Sequence, residues 1–78
     1  MEELVKYIVE NLVNNKEAVK ISTETDGDNA TIKVVVAKED MGKVIGKNGK
    51  IAQSIRAIVK TASISQDNKT RYFVKFEE

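Results

Sequence analysis

The segment with the clearest chemical potential runs from Gly42 to Ile51 and reads GKVIGKNGKI. Gly46 and Gly49 enclose two polar residues, Lys47 and Asn48. Because glycine lacks a Cβ atom, a polyanionic backbone can approach such a loop closely, and neighbouring ammonium groups would neutralise its phosphates. The residue types and their spacing therefore indicate a phosphate-binding loop.

The charge of the chain is concentrated around this loop. The whole sequence has 13 Lys and Arg against 12 Asp and Glu, a net charge of +1. Between positions 41 and 66 there is no acidic residue, and outside this window acidic residues outnumber basic ones. The window contains five cations: Lys43, Lys47, Lys50, Arg56 and Lys60. Such a local basic patch is typical of proteins with an anionic partner.

Two common nucleotide-binding loops are also rich in glycine, but their spacing differs. A Walker A loop places four residues before its Gly-Lys pair and then Ser or Thr, whereas three residues separate Gly42 from Gly46 and Asn48 follows the lysine. A dinucleotide-binding fingerprint needs glycine at position 44, which is Val44. The main alternative is structural, with the glycines only separating one helix from the next.

The composition excludes most enzyme chemistries. The chain has no Cys and no His, so it has no disulfide, no thiolate or histidine metal site and no Ser-His couple. The pairs Glu39-Asp40 and Glu77-Glu78 are adjacent in sequence, so their side chains point apart, and we interpret them as helix caps and tail charges. We predict a protein that is not an enzyme and has no cofactor.

A second acidic segment, Asp26-Gly27-Asp28-Asn29, begins like a calcium-binding loop. A ligand is needed at position 30 and glycine at position 31, but these are Ala30 and Thr31. A hairpin turn is the better interpretation, and no metal site is expected.

Length and hydropathy predict a single small domain over residues 1–78, with 41% hydrophobic and 32% charged residues and no proline. The longest apolar run, Val34 to Ala37, is too short to cross a bilayer. The start, Met1-Glu2-Glu3, is acidic where a signal peptide is basic. We therefore expect a cytoplasmic protein without membrane contact.

Periodicity predicts the first three elements. A helix with apolar residues at helical spacing ends near Asn14-Asn15 and contains Leu4, Val5, Ile8, Val9, Leu12 and Val13. Strands follow over Ala18 to Thr25, with Val19, Ile21 and Thr23 on one side, and over Ala30 to Ala37. The turn-forming residues between them predict an antiparallel hairpin, whose second strand faces the core with Ile32, Val34 and Val36.

The second half predicts two helices and a strand. A short helix containing Met41, Val44 and Ile45 must stop at Gly46, and Gly49 precedes a longer helix. The apolar positions of that helix are Ile51, Ala52, Ile55, Ile58, Val59 and Ala62. Ser65 to Lys69 is loop-like, and Arg71 to Phe76 is a strand with Tyr72, Val74 and Phe76 inward.

The order α-β-β-α-α-β favours a two-layer α+β fold. The two longer helices must cover one face of a small sheet to bury their apolar stripes. Since two helices separate the second strand from the third, these strands cannot form a hairpin, and we predict a mixed three-stranded sheet.

The segment Val44 to Ile51 resembles the signature of K-homology (KH) domains, (V/I)-I-G-x-x-G-x-x-I, at its first four defined positions, Val44, Ile45, Gly46 and Gly49. The isoleucine stands one position earlier than in the pattern, at Ile51, and Ala52 occupies the ninth position. The element order is similar to the type II arrangement of that domain, found in small bacterial KH proteins. The resemblance implies a Gly-x-x-Gly loop that clamps the backbone of about four nucleotides of single-stranded RNA. It also implies an RNA chaperone or post-transcriptional regulator, with single-stranded DNA as a further candidate ligand.

Carried over by position, the resemblance assigns the clamp to Gly46, Lys47, Asn48 and Gly49. We expect Lys43 and Lys50 to contact phosphates, with Arg56 as a further candidate. Ile45 would lie beside the bases, opposite a wall formed by residues 34–36 of the second strand. Val44 and Ile51 are better interpreted as core. Similar small KH proteins suggest a homodimer or a larger KH partner of the Jag type.

Two other functions remain open at this stage. One is a protein-interaction or scaffold role in which RNA binding is incidental. The other is a helix-turn-helix DNA binder whose recognition helix would expose Lys50, Gln53, Ser54 and Arg56.

The last strand resembles the end of an RNP1 motif, whose exposed aromatic residues stack on RNA bases. Because the chain leaves no room for the rest of that fold, we interpret it as a core strand with Phe73 at a dimer surface. Between Glu10 and Arg71 there is no aromatic residue, so the presumed cleft lacks a stacking platform and one copy should bind weakly.

Overall fold

The computed structural model describes residues 1–66 and 69–78. Its regular elements follow the predicted order: α1 (Glu2–Glu10), β1 (Lys20–Asp26), β2 (Asn29–Val35), α2 (Met41–Ile45), α3 (Lys50–Gln66) and β3 (Arg71–Glu77). Single turns of 3-10 helix cover Lys16–Ala18, Lys38–Asp40 and Lys47–Gly49. The α+β class and the α-β-β-α-α-β order are therefore confirmed.

The sheet has the order β1-β2-β3, and β2 is its central strand. β1 pairs with β2 antiparallel, and β3 pairs with β2 in parallel, with Ile32 opposite Val74. A parallel pair requires a crossover connection, which α2 and α3 supply. The predicted mixed three-stranded sheet is confirmed, and the crossover helices carry the Gly-x-x-Gly loop.

The hairpin strands begin and end within two residues of the prediction. Pairing continues to Asp26 opposite Asn29, since the turn needs only Gly27 and Asp28. Gly27 has a φ of +62°, which a residue with a side chain rarely adopts. Lys16–Ala18 forms a 3-10 turn, so β1 begins later than Ala18.

The hydrophobic core lies on one face of the sheet, beneath the helices. Ile32, Val34 and Val36 are buried as predicted, and Val74 of β3 joins them. The helices contribute the buried residues Val5, Val9, Val44, Ile55 and Val59. Alternation along the strands thus directs one face toward the helices, as a two-layer fold requires.

Two predicted inward positions are exposed. Thr23 lies on the edge strand β1, where its hydroxyl donates to the carboxylate of Glu2 instead of packing inward. Ile58 is 45% exposed, because the buried stripe of α3 is narrower than the apolar pattern and runs through Ala52, Ile55, Val59 and Ser63.

Both long helices end at residues other than those predicted. α1 stops at Glu10, yet Val13 is still buried just beyond it. α3 continues through Ser65 to Gln66, which the sequence analysis assigned to a loop; polar residues are tolerated there because this end of the helix is exposed. Residues 67 and 68 of that predicted loop lie outside the described residues.

Asp40 is fully buried, unlike any other carboxylate of the described residues. Its Oδ1 accepts the backbone N–H of Asn14 at 3.2 Å, and its Oδ2 accepts that of Asn15 at 3.0 Å. The Lys43 ammonium lies 3.4 Å from Oδ1. The prediction that Asp40 caps its own helix is therefore wrong. Its carboxylate accepts hydrogen bonds from backbone N–H groups of the chain after α1 and accepts none from the first N–H groups of α2.

These contacts make the stability of the fold depend on pH. The hydrogen bond from the backbone N–H of Asn15 lowers the pKa of Asp40, and those from Asn14 and Lys43 lower it further. Burial raises this pKa, but by less, so it lies below its ordinary value of 3.8. A lowered folded-state pKa adds stability above the unfolded pKa, and this stability is lost as pH falls through the folded value. Asp40→Asn should therefore lower the urea midpoint at pH 7, and its difference from wild type should shrink below pH 4.

The matched control is Glu39→Gln, which removes a neighbouring exposed carboxylate. It should leave the urea midpoint near the wild-type value at both pH values. A difference between Asp40→Asn and wild type that stayed constant from pH 7 to pH 2 would contradict the anchoring role of the ionised carboxylate.

Candidate nucleic-acid interface

The Gly-x-x-Gly loop connects α2 to α3 with left-handed backbone. α2 ends at Gly46, whose φ is 76° and ψ is 175°. Asn48 and Gly49 follow with φ of 58° and 73°. Asparagine tolerates this region better than most residues, and glycine adopts it without strain. The loop conformation thus follows from the residue types at positions 46, 48 and 49.

Gly46 is also required by packing. A Cβ atom at Gly46 would lie 2.6 Å from Cγ1 of Ile51 and 2.9 Å from its Cβ and Cδ1. Ile51 is half-buried against the core. The first glycine of the motif and the isoleucine five positions later are therefore in direct contact, which ties the start of α3 to the end of α2.

Gly49 has a different environment. A Cβ atom at Gly49 would meet nothing within 4 Å, so the space beside it is open. The intervening side chains Lys47 and Asn48 are exposed. Lys50, also exposed, begins α3 directly after the 3-10 turn, and its backbone N–H donates to the carbonyl of Lys47. The loop therefore presents an open glycine, polar side chains and a positive helix end on one surface.

The three lysines around the loop are not equivalent. Lys47 and Lys50 are exposed, whereas Lys43 forms an ion pair with the buried Asp40 and is 41% exposed. The Asp40 carboxylate neutralises part of the local positive charge. Asp40 lies just outside the window of positions 41 to 66 that has no acidic residue, so the distribution of charge along the sequence does not predict the ion pair between Lys43 and Asp40.

Arg56 lies along α3, beside β3. Its Nε donates to the backbone carbonyl of Val74 at 3.4 Å, and its guanidinium carbon lies 5.8 Å from the centre of the Phe76 ring. The guanidinium therefore bridges α3 and β3. Its role as a phosphate contact stays a prediction, next to this observed structural role.

A groove of about 620 Å³ continues from Arg56 between α3 and the first half of β3. Its lining includes Lys60, Ser63 and Ile64 of α3 and residues 70–74. Sequence reasoning did not assign Lys60 or Arg71 to the site, although Lys60 belongs to the basic window. The strand order was the missing information, because it places β3 at the open edge of the sheet.

The expected wall at residues 34–36 is wrong. Val34 and Val36 are buried in the central strand, with 0% and 2% exposure. Because β3 pairs in parallel on the outer side of β2, it is β3 that faces α3 across the groove. Val44 is fully buried and Ile45 is half-buried, so the interpretation of Val44 as core is confirmed.

Within residues 1–66 and 69–78, no group of three or more acidic side chains is arranged to hold a metal ion. The helices in this part of the chain are also too short or too polar to cross a membrane.

The two glycines predict an order of stability for alanine variants. Gly46→Ala combines backbone strain of roughly 1–3 kcal/mol, at a φ of 76° and a ψ of 175° that glycine alone adopts readily, with overpacking of roughly 1–3 kcal/mol against Ile51. Gly49→Ala carries only the strain, since nothing lies near the added methyl group. The urea midpoint of Gly46→Ala should therefore be lower than that of Gly49→Ala, and both midpoints should be lower than that of wild type.

The matched control is Gly42→Ala, inside α2 with open space around the added methyl group. It should equal or exceed wild-type stability, because alanine favours a helix by roughly 1 kcal/mol over glycine. Equal losses at positions 42 and 46 would contradict the close contact with Ile51.

Comparisons with known proteins show the family to which the chain belongs. The family model "KhpA/KhpB, KH domain" matches residues 2–76. The RNA-binding protein KhpA of Caldanaerobacter subterraneus is 46% identical over 69 residues, covering 88% of this chain and 92% of that protein. The protein of the same name from Listeria monocytogenes is 46% identical over 71 residues, covering 91% and 93%.

A more distant relative is the RNA-binding protein KhpA of Chlamydia trachomatis, 42% identical over 69 residues, which cover 87% of this chain and 86% of that protein. No solved structure gives a significant match. With a family model over nearly its whole length and relatives of similar extent, the chain belongs to the KhpA/KhpB family of KH domains.

Proposed function

We propose that this chain is a non-catalytic RNA-binding module in which Gly46, Lys47, Asn48 and Gly49 clamp the backbone of single-stranded RNA. The observation that carries the proposal is the open space beside Gly49, next to exposed Lys47 and Asn48. The names of the relatives, which describe RNA-binding proteins, support the same ligand.

The clamp operates by close approach and charge. A sugar-phosphate strand reaches van der Waals contact with the loop because position 49 has no side chain and no neighbour within 4 Å. The ammonium groups of Lys47 and Lys50 and the positive end of the α3 dipole then face the phosphates. These contacts are independent of base identity, so the clamp fixes position and polarity more than sequence.

From the clamp, the bases enter the groove between α3 and β3. Ile45 supplies an apolar surface near the loop, and Arg56 holds the two walls together through Val74 and Phe76. Lys60 and Arg71 line the far part of the groove and add positive charge there. A strand that follows this track meets cations along its length.

The cellular role that fits these contacts is that of a cytoplasmic RNA chaperone or post-transcriptional regulator, with residues 1–78 acting as one KH domain. The loop and α3 contain no aromatic residue, so the clamp itself contacts only the RNA backbone and exchanges readily. The aromatic residues that line the groove, Tyr72 and Phe73, come from β3. Weak, backbone-directed binding suits a protein that contacts many RNAs.

The clamp predicts that Lys47→Asp combined with Asn48→Asp abolishes RNA binding. Both side chains are exposed, so the double variant should fold, while the new carboxylates repel phosphate at the loop. Affinity for a short single-stranded RNA should fall by at least about tenfold at low salt, measured by amide-shift titration of the labelled protein.

The matched control places the same charge change on α1, as Lys6→Asp with Asn11→Asp, both exposed. Retained affinity in this control separates local repulsion from net charge. For wild type, log affinity should fall against log salt with a slope of roughly −1.4 to −2.8, for two to four phosphates. A salt-independent affinity, unperturbed signals at positions 46–49, or preference for duplex DNA would refute the clamp.

A second candidate function is association with another KH chain, either a second copy or a larger partner of the Jag or KhpB type. The observation that favours it is a mainly apolar strip between α1 and α3, in which Ile58 is exposed; it is formed by Leu4, Ala57, Ile58 and Ala62 together with the polar residues Thr61 and Ser65. Joining two weak clamps raises the effective affinity for RNA without new contacts to it.

This candidate predicts that wild type self-associates and that Ile58→Glu shifts it toward monomer, because a carboxylate in the strip would be desolvated. Sedimentation equilibrium measures the change. The control is Ile64→Gln, which is 61% exposed on the same helix but lies in the RNA groove. A wild-type chain that stays monomeric at millimolar concentration would remove self-association as a function.

A further inference from the structure

The face of the sheet opposite the helices contains an exposed aromatic residue. Along β3, Tyr72, Val74 and Phe76 point toward the helices, so Arg71, Phe73 and Lys75 point the other way. Phe73 is 52% exposed. The predicted inward positions Tyr72, Val74 and Phe76 are therefore confirmed, and Phe73 lies on the opposite, outer face.

The surroundings of Phe73 on this outer face are polar and mostly cationic. Thr31 of β2 lies directly opposite Phe73, and Lys33 lies opposite Lys75. Arg71 and Lys75 are two positions away along the strand, on the same face. A ring flanked by cations and a hydroxyl, with no apolar neighbour on its face in β2, does not resemble the centre of an apolar protein contact.

Three acidic residues share this outer face. Glu24 and Asp26 lie two strands away on β1, in the cross-strand rows of Phe73 and Arg71, and Glu77 ends β3. Glu24 of β1 pairs with Lys33 at 2.7 Å, and Glu77 pairs with Lys75 at 3.4 Å. Each pair has one exposed member, Glu24 or Lys75, and one half-buried member, Lys33 or Glu77. Ion pairs that solvent reaches contribute little, so a phosphate can compete with the carboxylate for each lysine. Among the described residues, no carboxylate forms an ion pair with Arg71.

Phe73 also lies at the border of the groove between α3 and β3. Arg71 and Phe73 both line that groove together with Arg56 and Lys60. Since β3 is an edge strand, no further strand separates the groove from the outer face. A strand of RNA leaving the groove over this edge therefore reaches the Phe73 ring directly.

We infer that Phe73 is a base-stacking site for single-stranded RNA, at which a nucleotide beyond the clamped ones stacks on the ring while Arg71 and Lys75 contact its phosphates. This inference rests on the proposed clamp and extends its track from the groove to the outer face of the sheet. The stacking platform absent from the clamp and α3 is thus supplied by the last strand.

Fluorescence of a single tryptophan tests the contact directly. Wild type has no Trp, so Phe73→Trp introduces the sole indole, and Tyr7→Trp, at a 69% exposed position of α1, is the matched control. A ten-nucleotide single-stranded RNA should quench the indole at position 73 and leave the one at position 7 unchanged. Unchanged emission at position 73 with the RNA at saturation would overturn the inference.

Affinity measurements with two RNA lengths separate this site from the clamp. Phe73→Ala should weaken binding of the ten-nucleotide RNA by about tenfold and leave a four-nucleotide RNA unaffected, because base stacking on an aromatic ring is lost only for the longer strand. Phe73→Leu should lose affinity for the ten-nucleotide RNA in the same way. Because leucine keeps the apolar bulk without the ring, this variant distinguishes loss of stacking from a folding defect.

The possible results have distinct meanings. If wild type binds neither RNA, the clamp itself fails; if Phe73→Ala binds both as wild type does, only the stacking site fails. If Phe73→Ala lost self-association in sedimentation equilibrium but kept full RNA affinity, the outer face would contact protein. This result would also overturn the inference.

Discussion

The contact between Gly46 and Ile51 is the constraint on which the candidate site depends. Ile51 occupies the space that a Cβ atom at position 46 would need, at 2.6–2.9 Å. The chain therefore ends α2, turns through left-handed backbone and starts α3 within a few residues. This close packing fixes the direction of α3 and pushes Lys47, Asn48 and Gly49 outward. The exposed loop is thus a consequence of a buried contact.

The rest of the fold holds α2, the Gly-x-x-Gly loop and the start of α3 in place. Asp40 joins the start of α2 to the chain after α1 through the backbone of Asn14 and Asn15, and α3 lies against β3 through Arg56. The loop is consequently supported at both ends by elements from distant parts of the chain. A phosphate-binding loop needs this support, because an ordered loop avoids the conformational entropy that a flexible one loses on binding.

Charged residues are divided between the surface and the interior of the fold. Cations lie on the loop, along α3 and on β3, while Asp40, the one buried carboxylate of the described residues, is satisfied internally. A net charge of +1 therefore conceals a positive track. Such a track attracts anions through electrostatic interactions that salt screens.

The sequence alone determined the element order, the mixed sheet, the family and the Gly-x-x-Gly loop. These features depend on local patterns, namely apolar periodicity, turn residues and two glycines followed by isoleucine, which act over a few residues. The burial of Ile32, Val34 and Val36 followed from alternation in the same way.

Only the tertiary structure decided which strand faces the groove and where Asp40 binds. Parallel pairing places β3 outside β2, so the wall of the groove comes from residues 70–74 instead of 34–36. The exposure of Ile58 and Thr23 likewise depends on how far neighbouring elements reach. These facts arise from contacts between residues far apart in the chain, and no local pattern of side chains specifies them.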